Sequence, residues 1–210
     1  MLTVLNKSMN TKLISAFLCA SISIYSLHAE VPDSPDDVKP LEIGSSVPEV
    51  TVKTTAGEPV QLKTLTNGTP SVIIFYRGGW CPYCTTHLAA LGEVETELKS
   101  RGYQILALSA DNAEHADATE TDTELGYQLL ADSSMDAAKA FGIAFKVDSP
   151  TLEKLASYQI DIEAASGETH NLLPVPAVFL TDKNGVITYR HFNADYTQRL
   201  SPEELLAAAK

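Results

Sequence analysis

Ser71-Val72-Ile73-Ile74-Phe75-Tyr76-Arg77-Gly78-Gly79-Trp80-Cys81-Pro82-Tyr83-Cys84 is the stretch on which the reading of this chain turns. Its continuous apolar run, Val72 to Phe75, lacks the alternation of a half-exposed strand and predicts a strand buried on both faces. Arg77 to Trp80 form a Gly-rich loop. From Cys84 onward, Leu88, Leu91, Val94 and Leu98 recur at spacings of three and four, which predicts an amphipathic helix ended by Gly102. Two cysteines therefore stand where a buried strand gives way to a helix N-terminus. Unpaired backbone N–H groups and the helix dipole stabilise a thiolate there, lowering Cys pKa values from about 8.5 to roughly 3.5–7.5. A second thiol one turn away lets oxidation resolve as an intramolecular Cys81–Cys84 bridge. Cys84 lies on the stripe that faces the core, and Cys81 precedes the helix, so Cys81 is expected to be the more exposed sulfur.

Outward from this segment, the pattern is mixed. On the N-terminal side, Val50 to Thr54 and Val60 to Leu62 flank Thr55-Ala56-Gly57-Glu58 and read as a β-hairpin. On the C-terminal side come a buried strand (Tyr103 to Ser109), an acidic helix (Asn112 to Glu124) and a short strand near Tyr127 to Ala131. A helix over Ser133 to Phe141 and another opened by Ser149-Pro150 follow. Asp161 to Pro176 shows no periodicity and reads as a long loop. Ala177 to Thr181 and Val186 to Tyr189 form a hairpin across Asp182-Lys183-Asn184-Gly185. The last helix begins with a capping box at Ser201 and Glu204. Such alternation calls for an α/β fold, a central mixed sheet covered by helices on both faces with an N-terminal hairpin extension.

The ends carry different information. Residues 1–29 read as an export signal: Lys7 and Lys12 start it, Leu13 to Leu27 is uncharged and largely apolar, and Leu27-His28-Ala29 resembles a cleavage site. Residues 30–40, rich in acids and proline, read as a flexible tether, leaving residues 41–210 as one domain. Export to the periplasm also removes Cys19, so only Cys81 and Cys84 remain. A bridge between residues this close gains little from loop closure, so its chemistry is the better reason for it. The chain carries 27 acids against 15 bases, a formal net charge of −12, which excludes nucleic acid and anionic membrane surfaces as partners.

The run Phe75 to Cys84 resembles the active-site strand and loop of the peroxiredoxin-like proteins of the alkyl hydroperoxide reductase and thiol-specific antioxidant family, which have the thioredoxin fold. The likeness spans roughly Leu41 to Ala209 and includes the entry segment Leu41 to Pro48 and the Phe179 to Gly185 hairpin. The resemblance implies a thioredoxin-like fold and a thiol-dependent peroxidase in which Cys84 attacks a hydroperoxide and Cys81 resolves the product. A thioredoxin-type dithiol would recycle the bridge, and no cofactor is called for. Three departures stand out. The family pattern has Pro seven residues and Thr or Ser three residues before the attacking Cys, plus a distant Arg. Here those positions hold Arg77, Cys81 and the Val175-Pro176 dipeptide. Arg77 is the one cation near the dithiol in sequence that could replace the missing Arg.

The same residues also resemble a thioredoxin site. Trp80-Cys81-x-x-Cys84 matches its motif, Pro82-Tyr83 is similar to the glutaredoxin dipeptide, and Pro176 stands where thioredoxins carry a cis-proline. That likeness implies a thiol-disulfide oxidoreductase acting on protein disulfides, with Cys81 as attacking residue. A third, minor alternative adds His170 and His191 to the dithiol as a copper-binding module. Zinc needs a second ligand pair that the sequence lacks. His87, one turn after Cys84, reads as a solvated or satisfied helix histidine before it reads as a proton carrier.

Overall fold

The computed structural model describes residues 30–123 and 125–210. The export signal read over residues 1–29 lies outside the described residues. A seven-stranded sheet runs in the order β2-β1-β5-β4-β3-β8-β9, with β1 Thr51–Thr54, β2 Pro59–Gln61, β3 Ser71–Tyr76, β4 Gln104–Ser109, β5 Gln128–Ala131, β8 Ala177–Thr181 and β9 Ile187–Phe192. The central strands β3, β4 and β5 are parallel, and β1, β2, β8 and β9 join antiparallel. The helices are α1 Leu62–Thr66, α2 Pro82–Gly92, α3 Glu95–Ser100, α4 Ala113–Thr123, α5 Asp136–Ala140, α6 Ser149–Ser157, α7 Ile162–Ser166 and α8 Pro202–Ala208.

Every residue of β3 is buried, and its side chains alternate between two cores. Ile73 and Phe75 join Leu106, Leu108, Phe141 and Phe179 on one face, where the Phe75, Phe141 and Phe179 rings pack at 4.9–6.1 Å. Val72, Ile74 and Tyr76 join Leu88, Leu91 and Leu98 of α2 and α3, and Leu205 of α8, on the other. This explains the unbroken apolar run of the sequence: period-2 alternation is present, but both of its phases are core. The α/β architecture and the N-terminal hairpin follow the sequence reading.

Several local expectations give way. The single helix expected from Cys84 to Gly102 is two, α2 and α3, parted at Glu93-Val94 just after Gly92, a poor helix residue. The loop expected over Asp161 to Pro176 contains α7, capped by the Asp161 carboxylate and ended by Gly167 at φ +76°, and β7 Leu172–Pro174, which pairs with β6 Ala144–Lys146. Neither is long enough to display a period. The expected tether is docked as well: Leu41 and Lys39 donate backbone hydrogen bonds to Phe141 and Gly142, Lys146 donates one to Pro32, and Val31 and Val38 pack on the first core. Backbone pairing and two valines outweigh the acidic, proline-rich composition. Gly142 makes this docking possible, since it sits at φ +71° and a Cβ there would strike the Lys39 carbonyl.

Candidate active site

The C-terminal end of β3 delivers the chain into the Arg77–Trp80 loop, and Cys81 then serves as N-cap of α2 with Pro82 as the first helical residue. Pro has no N–H to lose at that position and fixes φ in the helical range. The loop is pinned from behind. Gly79 N–H donates to the Asp111 carboxylate at 2.8 Å, just past the end of β4, and Ser109 Oγ donates to the same oxygen at 3.3 Å. Neither loop glycine has room for a side chain: a Cβ on Gly78 would overlap the Trp80 indole, and one on Gly79 would overlap Thr119 Oγ1. Burial pushes the Asp111 carboxyl up to about 6, although the Gly79 N–H works against it.

The two sulfurs lie 2.6 Å apart, so a disulfide forms with only a small side-chain adjustment. Both cysteines are buried, Cys81 at 3% and Cys84 at 0% exposure. Cys81 is the more exposed of the two, as the register of the helix leads one to expect, but only by this narrow margin. The Arg77 guanidinium, held against Trp80 at 5.1 Å and Tyr196 at 4.4 Å, packs beside it, and Tyr83 meets Tyr196 edge-on at 5.6 Å.

The charge within the pair falls on Cys84. Burial works to raise its pKa, but the Cys81 thiol as hydrogen-bond donor, the Arg199 charge and the Arg77 backbone N–H outweigh it and bring the pKa to about 6. Cys81 is pushed the other way, first by that same hydrogen bond and then by burial. Arg199 Nη2 lies 3.5 Å from Cys84 Sγ. The sequence reading missed this arginine. It lies 115 positions from Cys84, and only the fold joins them.

The remaining candidates separate. Arg77 is next to the dithiol, but its guanidinium belongs to the aromatic stack, and only its backbone favours the Cys84 thiolate. Pro176 lines a cleft of about 470 Å³ with Arg77, Val175 and Tyr196. The Val175–Pro176 bond is trans, which corrects the cis-proline expectation and agrees with the ordinary preference of X–Pro bonds. His87 is buried and lies 3.0 Å from the Leu200 carbonyl; burial, then Arg199, depress its pKa to about 4, so it is a neutral donor and not a proton carrier. Both His170 ring nitrogens are engaged, Nε2 with the Ser133 carbonyl and Nδ1 with the Leu172 N–H, which leaves the copper alternative without one of its two histidines. Among the described residues no group of three His, Cys, Asp or Glu side chains is placed to hold a metal.

A mixed thioredoxin-like sheet with a buried dithiol at the strand-to-helix junction of β3 and α2 defines the class: thioredoxin-fold proteins with a CxxC site. Within it, residues 43–190 match the AhpC/TSA family, and the chain belongs to that family. Among solved structures, reduced Prx3 of Vibrio vulnificus in complex with hydrogen peroxide superposes with a TM-score of 0.66 at 20% identity over 81% of this chain and 99% of that one. Peroxidoxin BcpB of Mycobacterium tuberculosis gives a TM-score of 0.62 at 17% identity, over 80% and 94%. At these identities the likeness is one of fold. In sequence, the chain is 24% identical over 150 residues to peroxiredoxin Q of rice, covering 71% of this chain but only 58% of that protein. It is also 24% identical over 151 residues to the thiol-disulfide oxidoreductase ResA of Bacillus thuringiensis, covering 72% and 70%.

Proposed function

We propose that the protein is a thiol-dependent peroxidase of the peroxiredoxin type. The observation that carries this reading is the Arg199 guanidinium beside Cys84, with Nη2 3.5 Å from its sulfur, a positive charge that favours the thiolate there. The Cys84 thiolate attacks the terminal oxygen of a hydroperoxide, an S–O bond forms and the O–O bond breaks. The alkoxide or hydroxide that leaves takes a proton from water, and Cys84 becomes a sulfenic acid. Cys81 then attacks that sulfur, water departs, and the Cys81–Cys84 disulfide remains. A thioredoxin-type dithiol returns the pair to the reduced state by exchange. Two electrons pass from the dithiol to the peroxide in each cycle.

A second reading, a thiol-disulfide oxidoreductase, is favoured by the Trp80-Cys81-x-x-Cys84 motif and the match to ResA. It requires Cys81 as nucleophile, and the electrostatics of the pair run against that. Stopped-flow oxidation of the reduced protein by hydrogen peroxide and, separately, by a model disulfide decides between them. Peroxide oxidation no faster than that of a free thiol at the same pH sinks the peroxidase.

The sequence of residues 1–29 supports export to the periplasm with cleavage before Glu30. Among the described residues no helix is long and apolar enough to cross a membrane. Mass spectrometry of the native protein tests this, and an intact Met1 in a membrane fraction refutes it.

A further inference from the structure

The family's distant arginine is missing from its usual place, where this chain has Val175 and Pro176. The structure presents a guanidinium at the same sulfur from elsewhere. Arg199 lies between β9 and α8, on a segment clamped to α2 at two points. Tyr196 packs edge-on against Tyr83 at 5.6 Å, and the Leu200 carbonyl accepts from His87 Nε2 at 3.0 Å. Arg199 is thereby fixed beside Cys84, with Nη2 3.5 Å from the sulfur.

Its other donors are the informative ones. Nε and Nη1 are both buried and, among the described residues, both without an acceptor. The ion pairs among the described residues use Lys63, Lys99, Arg101, Lys139 and Arg190, and none involves Arg199. In a chain with 27 acids to 15 bases, burying two guanidinium donors with no carboxylate on them is a costly arrangement. A charge needed only to favour the thiolate requires one donor on the sulfur. Two more buried donors in the same planar fork suit a ligand that brings oxygen atoms of its own. Arg199 also lines a groove of about 470 Å³ with Tyr83, Thr86, His87 and Ser201.

We infer that Arg199 is a catalytic residue that holds the two oxygens of the hydroperoxide against Cys84 and stabilises the charge developing on the leaving oxygen. The inference rests on the peroxidase reading and deepens it. In the step it serves, the Cys84 thiolate and ROOH become the sulfenic acid and RO⁻, which a proton from water converts to ROH. The guanidinium stays protonated throughout.

The test separates this role from a purely electrostatic effect on the thiol. In a Cys81→Ser background, the full chain with and without Arg199→Gln is titrated by thiolate absorbance. Each protein is then reacted with hydrogen peroxide and with monobromobimane at a pH where Cys84 is fully ionised. The expected result is a peroxide rate constant lower by roughly 10²-fold in Arg199→Gln, with the alkylation rate constant within a few-fold of the parent. Arg199→Lys should restore the low thiol pKa but not the peroxide rate, since an ammonium lacks the fork; it carries the test if Arg199→Gln fails to fold. Peroxide and alkylation rates falling by the same factor, or a peroxide rate unchanged in both variants, overturn the inference and leave the peroxidase reading standing. A parent protein that reacts with peroxide no faster than a free thiol removes the reading itself, and the inference with it.

Discussion

The dithiol has two flanks of opposite chemistry. Behind the Gly78–Trp80 loop sits a buried acid, Asp111, whose carboxylate accepts from Gly79 N–H and Ser109 Oγ. Beside Cys84 sits a half-buried base, Arg199, with two buried donors that have no acceptor among the described residues. The acid acts on backbone through one paired oxygen, its other oxygen having no partner among the described residues; the base acts on sulfur through one donor, with two more that have no acceptor among them. The difference teaches which flank is scaffold and which is chemistry by what each group meets: Asp111 Oδ2 holds a loop N–H and so fixes geometry, whereas Arg199 Nη2 lies at the sulfur that reacts.

The largest effect expected of this division is on the cysteines themselves. Cys84→Ser should abolish peroxide consumption. Cys81→Ser should still form a sulfenic acid, detectable with a dimedone probe, and stall there. If instead Cys81→Ser alone abolished the reaction, the thiolate would belong to the loop side and the contrast between the flanks would collapse. The pH dependence sharpens the same point. With Cys84 brought to about 6, the rate of peroxide reaction should rise with pH through 6 and level off above it.

The scaffold flank predicts a pH effect on stability of its own. Asp111 is raised by burial from its usual value near 3.8 to about 6, so between those values the folded chain holds a proton that the unfolded chain has released. Stability must therefore fall as pH rises through that window, by up to about 3 kcal/mol for this group. Asp111→Asn cannot titrate. Urea melts of both proteins from pH 4 to 7 should show the wild type losing stability relative to the variant across that range. A constant difference would mean that the acid is not buried as described.

Much of this scaffold is legible in the sequence. β3 and the start of α2 follow from an apolar run and a three-and-four spacing, because burial on both faces and on one stripe leaves those patterns. The dithiol at their junction follows with them. The short elements β6, β7 and α7 do not, since three to five residues show no period, and the docking of residues 31–40 rests on backbone hydrogen bonds that composition cannot display. Asp111 and Arg199 are illegible for a different reason. Asp111 sits at the head of an acidic stretch that reads as a solvated face, and nothing in sequence separates it from Glu114 or Asp117. Arg199 meets Cys84 only because β9 and the clamped segment return the chain to α2. Local pattern finds the nucleophile, and tertiary structure supplies what surrounds it.

Close packing behind the loop gives the next prediction. A Cβ on Gly79 would overlap Thr119 Oγ1 of α4, a residue that is itself buried. Gly79→Ala should therefore destabilise by about 1–3 kcal/mol, the usual range for overpacking. Adding Thr119→Ala removes the clashing hydroxyl and should recover a good part of the loss in urea melts. No recovery would show that the loop is limited by its backbone and not by contact with α4.

The smallest effect concerns the clamp that carries Arg199. Tyr83 is half exposed, and its ring meets Tyr196 at 5.6 Å and 81°, a geometry worth roughly 0.5–1.5 kcal/mol beyond area burial. Tyr196 in turn carries the Arg77 guanidinium at 4.4 Å, so the two rings do not contribute equally. Tyr83→Ala should cost about 1 kcal/mol, the ring pair alone, whereas Tyr196→Ala should cost more, because it also removes a cation–π contact of about 0.5–2 kcal/mol. The double variant should cost little more than Tyr196→Ala, since the pair can be broken only once, and urea melts of the four proteins provide that cycle. Costs that simply add would mean that the rings stabilise the protein independently. The segment would then be held by the His87–Leu200 hydrogen bond, and the clamp would have one point of attachment instead of two.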